Sequence, residues 1–141
     1  MIYLDTSVIV PLVINEDSST SVEALVSKVK PGELTTSLWT RIEIESLVAR
    51  KLRMGELTAA QAEAVRREVH TIMQESFKML VPTATDFETA EAYLGTPKTG
   101  LRAGDAFHLA IAANHGAKKI WSLDQGFVKA GKLLKLPVGL G

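Results

Sequence analysis

Five short apolar runs, separated by stretches with helical periodicity, recur along this chain, and that alternation limits the fold more than any other feature. The runs are Ile2-Tyr3-Leu4, Leu34-Thr35-Thr36, Met79-Leu80-Val81, Lys119-Ile120-Trp121-Ser122 and Leu136-Pro137-Val138. Each is too short for a helix and is bounded by polar or turn residues, as buried strands are. Pro137 cannot donate to a ladder, so the last run reads as an edge strand. Strands alternating with helices imply an α/β layered fold around a mostly parallel sheet, with right-handed crossovers covering both faces.

The intervening segments carry helix signals. Helices are expected from Ser7 to about Ile14 and from Thr20 to about Val29, the latter opened by the Thr20-x-x-Glu23 capping box and stopped by Pro31-Gly32. Ser37 is placed to cap a helix running to about Arg53, with Met54-Gly55 as its stop. Thr58-x-x-Gln61 opens another, in which Val65, Val69, Ile72 and Met73 form one apolar face. The two make a helical hairpin from about Ser37 to Phe77. Thr85-x-x-Glu88 predicts a helix ending by Gly95, Ala103 to His115 an alanine-rich one closed by Gly116, and Gln125 to Leu133 the last.

At 141 residues one domain spanning 1–141 is expected, and no internal repeat divides it. A chain of this size buries roughly 68–70% of its unfolded surface, enough for a core without metal or disulfide staples. With no cysteine, disulfides, thiolate zinc sites and cysteine nucleophiles are excluded. The apolar stretch Val8 to Ile14 contains Pro11 and lacks the length of a signal peptide or membrane span, so a cytoplasmic protein with no membrane partner is expected. Net charge is zero, but residues 101–141 carry two acids against six bases. That local excess can attract phosphate, although lysines near helix ends are ordinarily a solvated face.

Ligand sites in parallel sheets lie at the carboxyl ends of strands. Asp5 follows the first run directly and Asp124 closely follows the fourth, which puts both on one rim. Either could instead cap the next helix, and Asp105, at the start of a helix after Gly104, carries the same alternative. In the Ser37 to Arg53 helix, Glu43 and Glu45 are about 200° apart around the axis and cannot both face one site. Ile42 and Leu47 put Glu43 nearer a buried face, with Arg41 and Arg50 as candidate partners. Converging carboxylates repel one another, and a hard divalent cation is the natural compensation. The chemistry this implies is metal-assisted phosphodiester hydrolysis. His70, His108 and His115 have no metal-ligand spacing among themselves, and neither a glycine-rich phosphate loop nor a nucleophile elbow occurs.

Leu4-Asp5-Thr6-Ser7, Ser37 to Glu43, Leu101-Arg102-Ala103-Gly104-Asp105-Ala106-Phe107-His108-Leu109-Ala110 and Ser122-Leu123-Asp124-Gln125-Gly126-Phe127 resemble the acidic motifs of the PIN-domain nucleases. More narrowly they resemble the VapC-type toxins of toxin–antitoxin pairs, over essentially the whole chain. The resemblance implies a three-layer α/β/α sandwich and an endoribonuclease using Mg²⁺, or Mn²⁺ in its place, to activate water against RNA. It assigns the metal-binding and catalytic carboxylates to Asp5, Glu43, Asp105 and Asp124, selecting Glu43 over Glu45. Thr6, Ser7 and Ser122 match polar positions that order the site, and Arg102 is placed to touch RNA phosphate. His108, three residues after Asp105, invites a general-acid reading against a structural one. A homodimer and a cognate antitoxin are the implied partners, with the Ser37 to Phe77 hairpin as the expected place of contact.

Overall fold

The computed structural model describes residues 1–140. In chain order the elements are β1 (Ile2–Leu4), α1 (Thr6–Val13), α2 (Ser19–Ser27), β2 (Leu34–Ser37), α3 (Leu38–Arg53) and α4 (Ala59–Glu75). They continue with β3 (Lys78–Leu80), α5 (Ala84–Leu94), α6 (Ala103–Asn114), β4 (Lys119–Trp121), α7 (Gln125–Leu133) and β5 (Val138–Gly139). The sheet has the order β3-β2-β1-β4-β5, and every pairing is parallel. Ile2 pairs with Leu34 on one side and with Lys119 on the other, so β1 lies at the centre.

Because successive strand residues point to opposite faces, the central strands feed two cores. Leu4 and Trp121 pack with Val8, Ile9, Ile44 and Val48 under α1 to α4. Tyr3 and Ile120 pack with Ala106, Leu109, Ala110 and Phe127 under α5 to α7. This is the layered fold expected from the alternation of elements, in the three-layer α/β/α form that the resemblance implies. Helix α6 is apolar nearly all round: every residue from Ala106 to Ala112 is buried, including His108. The α3–α4 hairpin forms as expected, turning at Gly55, whose φ of 73° is the left-handed conformation that glycine adopts without steric cost.

Three expected caps differ. Thr58 and Gln61 make a reciprocal capping box at α4, but the box at α5 is made by Thr83 and Asp86, two residues before the expected pair. Asp86 is fully buried and also accepts from Asn114 Nδ2 at 2.8 Å, so an anchor on α6 decides which threonine starts the helix. The Thr20 box does not form: α2 begins at Ser19, whose hydroxyl donates to Pro11 O at 2.7 Å and docks the helix start on α1. Ser37 occupies the N-cap position of α3 without a side-chain cap bond, because its hydroxyl is bonded to Tyr3 across the sheet. The last strand is Val138–Gly139 rather than 136–138, beyond the proline that cannot donate.

Candidate active site

Chain order reverses between β1 and β4: from β1 the chain builds outward through β2 and β3, then returns to β1's other side at β4. Such a reversal leaves a crevice beyond the carboxyl ends of the two strands. Asp5 leaves β1 there and Asp124 leaves β4, while α3 and α6 bring Glu43 and Asp105 over the same rim. All four carboxylates, with Thr6, Ser7 and His108, line one pocket of about 510 Å³.

Asp5 sits at the N-cap position of α1 but makes no cap bond with its side chain. Ser7 Oγ donates to Asp5 Oδ1 at 2.6 Å, and Ser122 Oγ donates to Oδ2 at 2.7 Å. Both hydroxyls also accept from the β4–α7 loop, Ser7 from Leu123 N at 2.8 Å and Ser122 from Asp124 N at 3.0 Å. Thus the two serines lace the ends of β1 and β4 together around Asp5. Asp5 is 3% exposed, and burial pushes its carboxyl above the usual range against the lowering effect of His108 and the two serines.

Asp124 does cap its helix, Oδ1 accepting from Gly126 N at 2.8 Å and Phe127 N at 3.2 Å. The cap reading of this residue is therefore correct, and both bonds use one oxygen. Asp105, in the first turn of α6, has its carboxyl raised to about 6 by burial and by the charges of Asp124, Asp5 and Glu43, with His108 opposing them. Burial is the larger cause, and the three neighbouring carboxylates add to it with only His108 opposing them.

Glu43 and Glu45 part company as the helix geometry requires. Glu45 faces α4, where Arg66 Nη2 donates to it at 2.8 Å. Glu43 faces the pocket, and its partners are not Arg41 or Arg50. Thr6 Oγ1 donates to Glu43 Oε1 at 2.6 Å, and His108 Nε2 reaches the same oxygen. Burial raises the Glu43 carboxyl, but the His108 bond and charge, with the Thr6 bond, outweigh it and hold the group below its usual range.

His108 is 1% exposed and lies behind Glu43, with Nδ1 2.8 Å from the Tyr3 hydroxyl, which donates to Ser37 Oγ at 3.0 Å. Tyr3 had no separate signal as a polar residue, because its place in an apolar strand accounts for it as core. Glu16, in the α1–α2 loop, also lines the pocket; no strand end or motif singles it out. Arg102 is exposed at the N-cap of α6, three residues before Asp105, and is not among the residues that line the pocket. His115 caps the end of α6, as its place before Gly116 suggests.

The donor set is oxygen-rich and hard, suited to Mg²⁺ or Mn²⁺ rather than to a soft metal. Among the described residues no three of these side chains form a ready-made metal cage. An ion that keeps several of its own waters does not require one.

A family model described as PIN domain matches residues 2–133. The chain belongs to the PIN domain family. Solved structures similar to this PIN domain include the Mycobacterium tuberculosis toxin VapC20, described as sarcin-ricin loop cleaving, with a TM-score of 0.75 and 20% identity over 93% of this chain and 95% of that one. FitAcB of Neisseria gonorrhoeae aligns with a TM-score of 0.71 and 20% identity, covering 98% of this chain and 96% of its own. VapBC-1 of nontypeable Haemophilus influenzae gives 0.70 and 19%, with 99% of this chain and 98% of that one covered. At such identities the likeness establishes the fold. No significant match is found among curated protein sequences.

Proposed function

We propose that this PIN domain is a metal-dependent endoribonuclease acting as the toxin of a toxin–antitoxin pair. The observation that carries the reading is the gathering of Asp5, Glu43, Asp105 and Asp124 around one pocket, with Asp105 pushed up to about 6 largely by burial and its acidic neighbours. Similarity to solved structures that include a toxin and a toxin–antitoxin complex supports it.

Asp5, Glu43, Asp105 and Asp124 would hold Mg²⁺, with Mn²⁺ as a substitute. When bound, the ion supplies Lewis acidity, making water a competent nucleophile near neutral pH and offsetting phosphoryl charge. The chain's own residues set the geometry. Ser7 and Ser122 hold both oxygens of Asp5, Thr6 and His108 hold one oxygen of Glu43, and the α7 cap fixes Asp124. Arg102, exposed at the start of α6, is the proposed contact for an RNA phosphate. His108 is assigned a holding role rather than that of a general acid, since it lies buried behind Glu43.

A cytoplasmic homodimer inhibited by its antitoxin is the proposed assembly, and no helix among the described residues is long and apolar enough to cross a membrane. Ile42 on α3 and Phe87 on α5, each 61% exposed, offer apolar surface to a partner. Cleavage of total cellular RNA by the antitoxin-free protein tests the reading, comparing wild type with Asp5→Asn in Mg²⁺, in Mn²⁺ and in chelator. Discrete fragments from wild type with metal alone are expected. A folded, antitoxin-free wild type that cuts nothing overturns it.

A further inference from the structure

Gly104 and His108 are four residues apart on α6, and both face Glu43. His108 Nε2 meets Glu43 Oε1, while the other oxygen, Oε2, lies against Gly104. A Cβ built on Gly104 would stand 2.9 Å from Oε2, closer than real Cβ contacts come. The glycine is not required by the backbone, because it is an ordinary helical residue and carries no positive φ. In a helix glycine is the least favourable residue after proline, so its presence needs a reason of space. The carboxylate of Glu43 is that reason.

A second observation points to the same space. Trp39 Nε1 is a buried nitrogen with no partner among the described residues, and it lies 3.6 Å from the position of the missing Cβ. The indole is held edge-on to Phe107, with ring centroids 5.5 Å apart. The hollow beside Gly104 is therefore bordered by a carboxylate oxygen and an indole donor, a polar surround that a methyl group would fill. On the opposite oxygen the hold is firm, because His108 is itself fixed by the Tyr3 hydroxyl.

We propose that Gly104 and His108 are positioning residues forming a cradle for Glu43: His108 fixes Oε1, and the missing side chain at Gly104 leaves the room that Oε2 occupies. This rests on the reading of Glu43 as a site carboxylate. A side chain at residue 104 forces the carboxylate out of its place, even though it improves the helix. Stability and site geometry should thus respond in opposite directions, which a purely structural glycine would not produce.

The test uses the full chain as Gly104→Ala, His108→Leu, His108→Gln and wild type, each read in two ways. Without metal, proton NMR reads the ring N–H of His108 bonded to Glu43, identified as the downfield signal lost in both His108 variants and displaced in Glu43→Gln. Titration with Mn²⁺, followed by the loss of the free-ion electron paramagnetic resonance signal, reads the assembled site. Gly104→Ala is expected to keep or raise the melting temperature while shifting or losing the His108 signal and weakening Mn²⁺ binding by about tenfold or more, as loss of a ligand-orienting contact does. His108→Leu should weaken binding similarly, and His108→Gln, which keeps a donor at that reach, should recover part of it. An unchanged His108 signal in Gly104→Ala overturns the cradle, as does wild-type Mn²⁺ affinity in that variant. A wild type that binds no Mn²⁺ defeats the metal reading instead, and the metal-free signal still decides for or against the cradle.

Discussion

Ser122 joins two carboxylate-bearing loops through one hydroxyl: its Oγ donates to Asp5 Oδ2 at 2.7 Å and accepts from Asp124 N at 3.0 Å. Asp5 belongs to the end of β1 and Ser122 to the end of β4, so the bond crosses the point where the sheet's chain order reverses. Ser122 is 2% exposed and Asp5 3%, so this hydroxyl and the Asp5 oxygen it serves have little access to water as a substitute. Ser122→Ala should therefore cost about 1–3 kcal/mol of stability, the range for leaving buried polar groups unpaired. Urea unfolding measures this, and cleavage should fall more than stability because Asp5 loses one of its two side-chain restraints.

Asp5→Asn should behave differently. The neutral amide removes a charge that burial disfavours, while one of the Ser7 and Ser122 hydroxyls can still donate to its oxygen and the other can turn to accept from its nitrogen. Cleavage should be lost while the metal-free melting temperature holds or rises. A fall of many degrees would show that Asp5 serves the fold as much as the site.

Asp105 sets a pH dependence whose sign follows from its raised carboxyl, at about 6. Between the ordinary carboxylate range and pH 6 the folded protein binds a proton that the unfolded chain has released, so this group's contribution to stability falls as pH rises through that window. In chelator, the melting temperature of wild type should drop more between pH 4 and pH 7 than that of Asp105→Asn. Mn²⁺ should reduce this difference by favouring the ionised form. Ion binding, and cleavage with it, should strengthen as pH rises through about 6.

Glu43→Gln and Glu45→Gln provide a matched pair on one helix. Glu45 is bound to Arg66 on the exposed face of α4, whereas Glu43 faces the pocket and is held by Thr6 and His108. Glu45→Gln should leave RNA cleavage near wild type, since exposed ion pairs contribute little. Glu43→Gln should abolish it, with both variants retaining the helical circular dichroism of wild type.

Much of the site was legible because its landmarks are local. An apolar triplet followed at once by an acid places Asp5 at a strand end, and Ile120-Trp121-Ser122-Leu123-Asp124 does nearly the same for Asp124. Helical angle alone separates Glu43 from Glu45, although choosing between them took the family resemblance. Caps were less legible. Thr83 and Thr85 are both plausible starts for α5, and only the burial of Asp86 against Asn114 selects the first.

Sequence by itself determined the alternation of strands and helices, the two-faced strands, and which aspartates would sit at strand ends. These follow from periodicities of two and 3.6 residues, which are properties of neighbouring backbone and side chains. Tertiary structure decided that β1 and β4 are neighbours, that Asp5 is held from Ser122, and that Glu43 rests between His108 and the bare backbone of Gly104. Those relationships join residues from 61 to 117 positions apart, as with Glu43 and Gly104 or Asp5 and Ser122. No local periodicity encodes them, because they arise only when the two cores close on opposite faces of the sheet and fix where each helix lies.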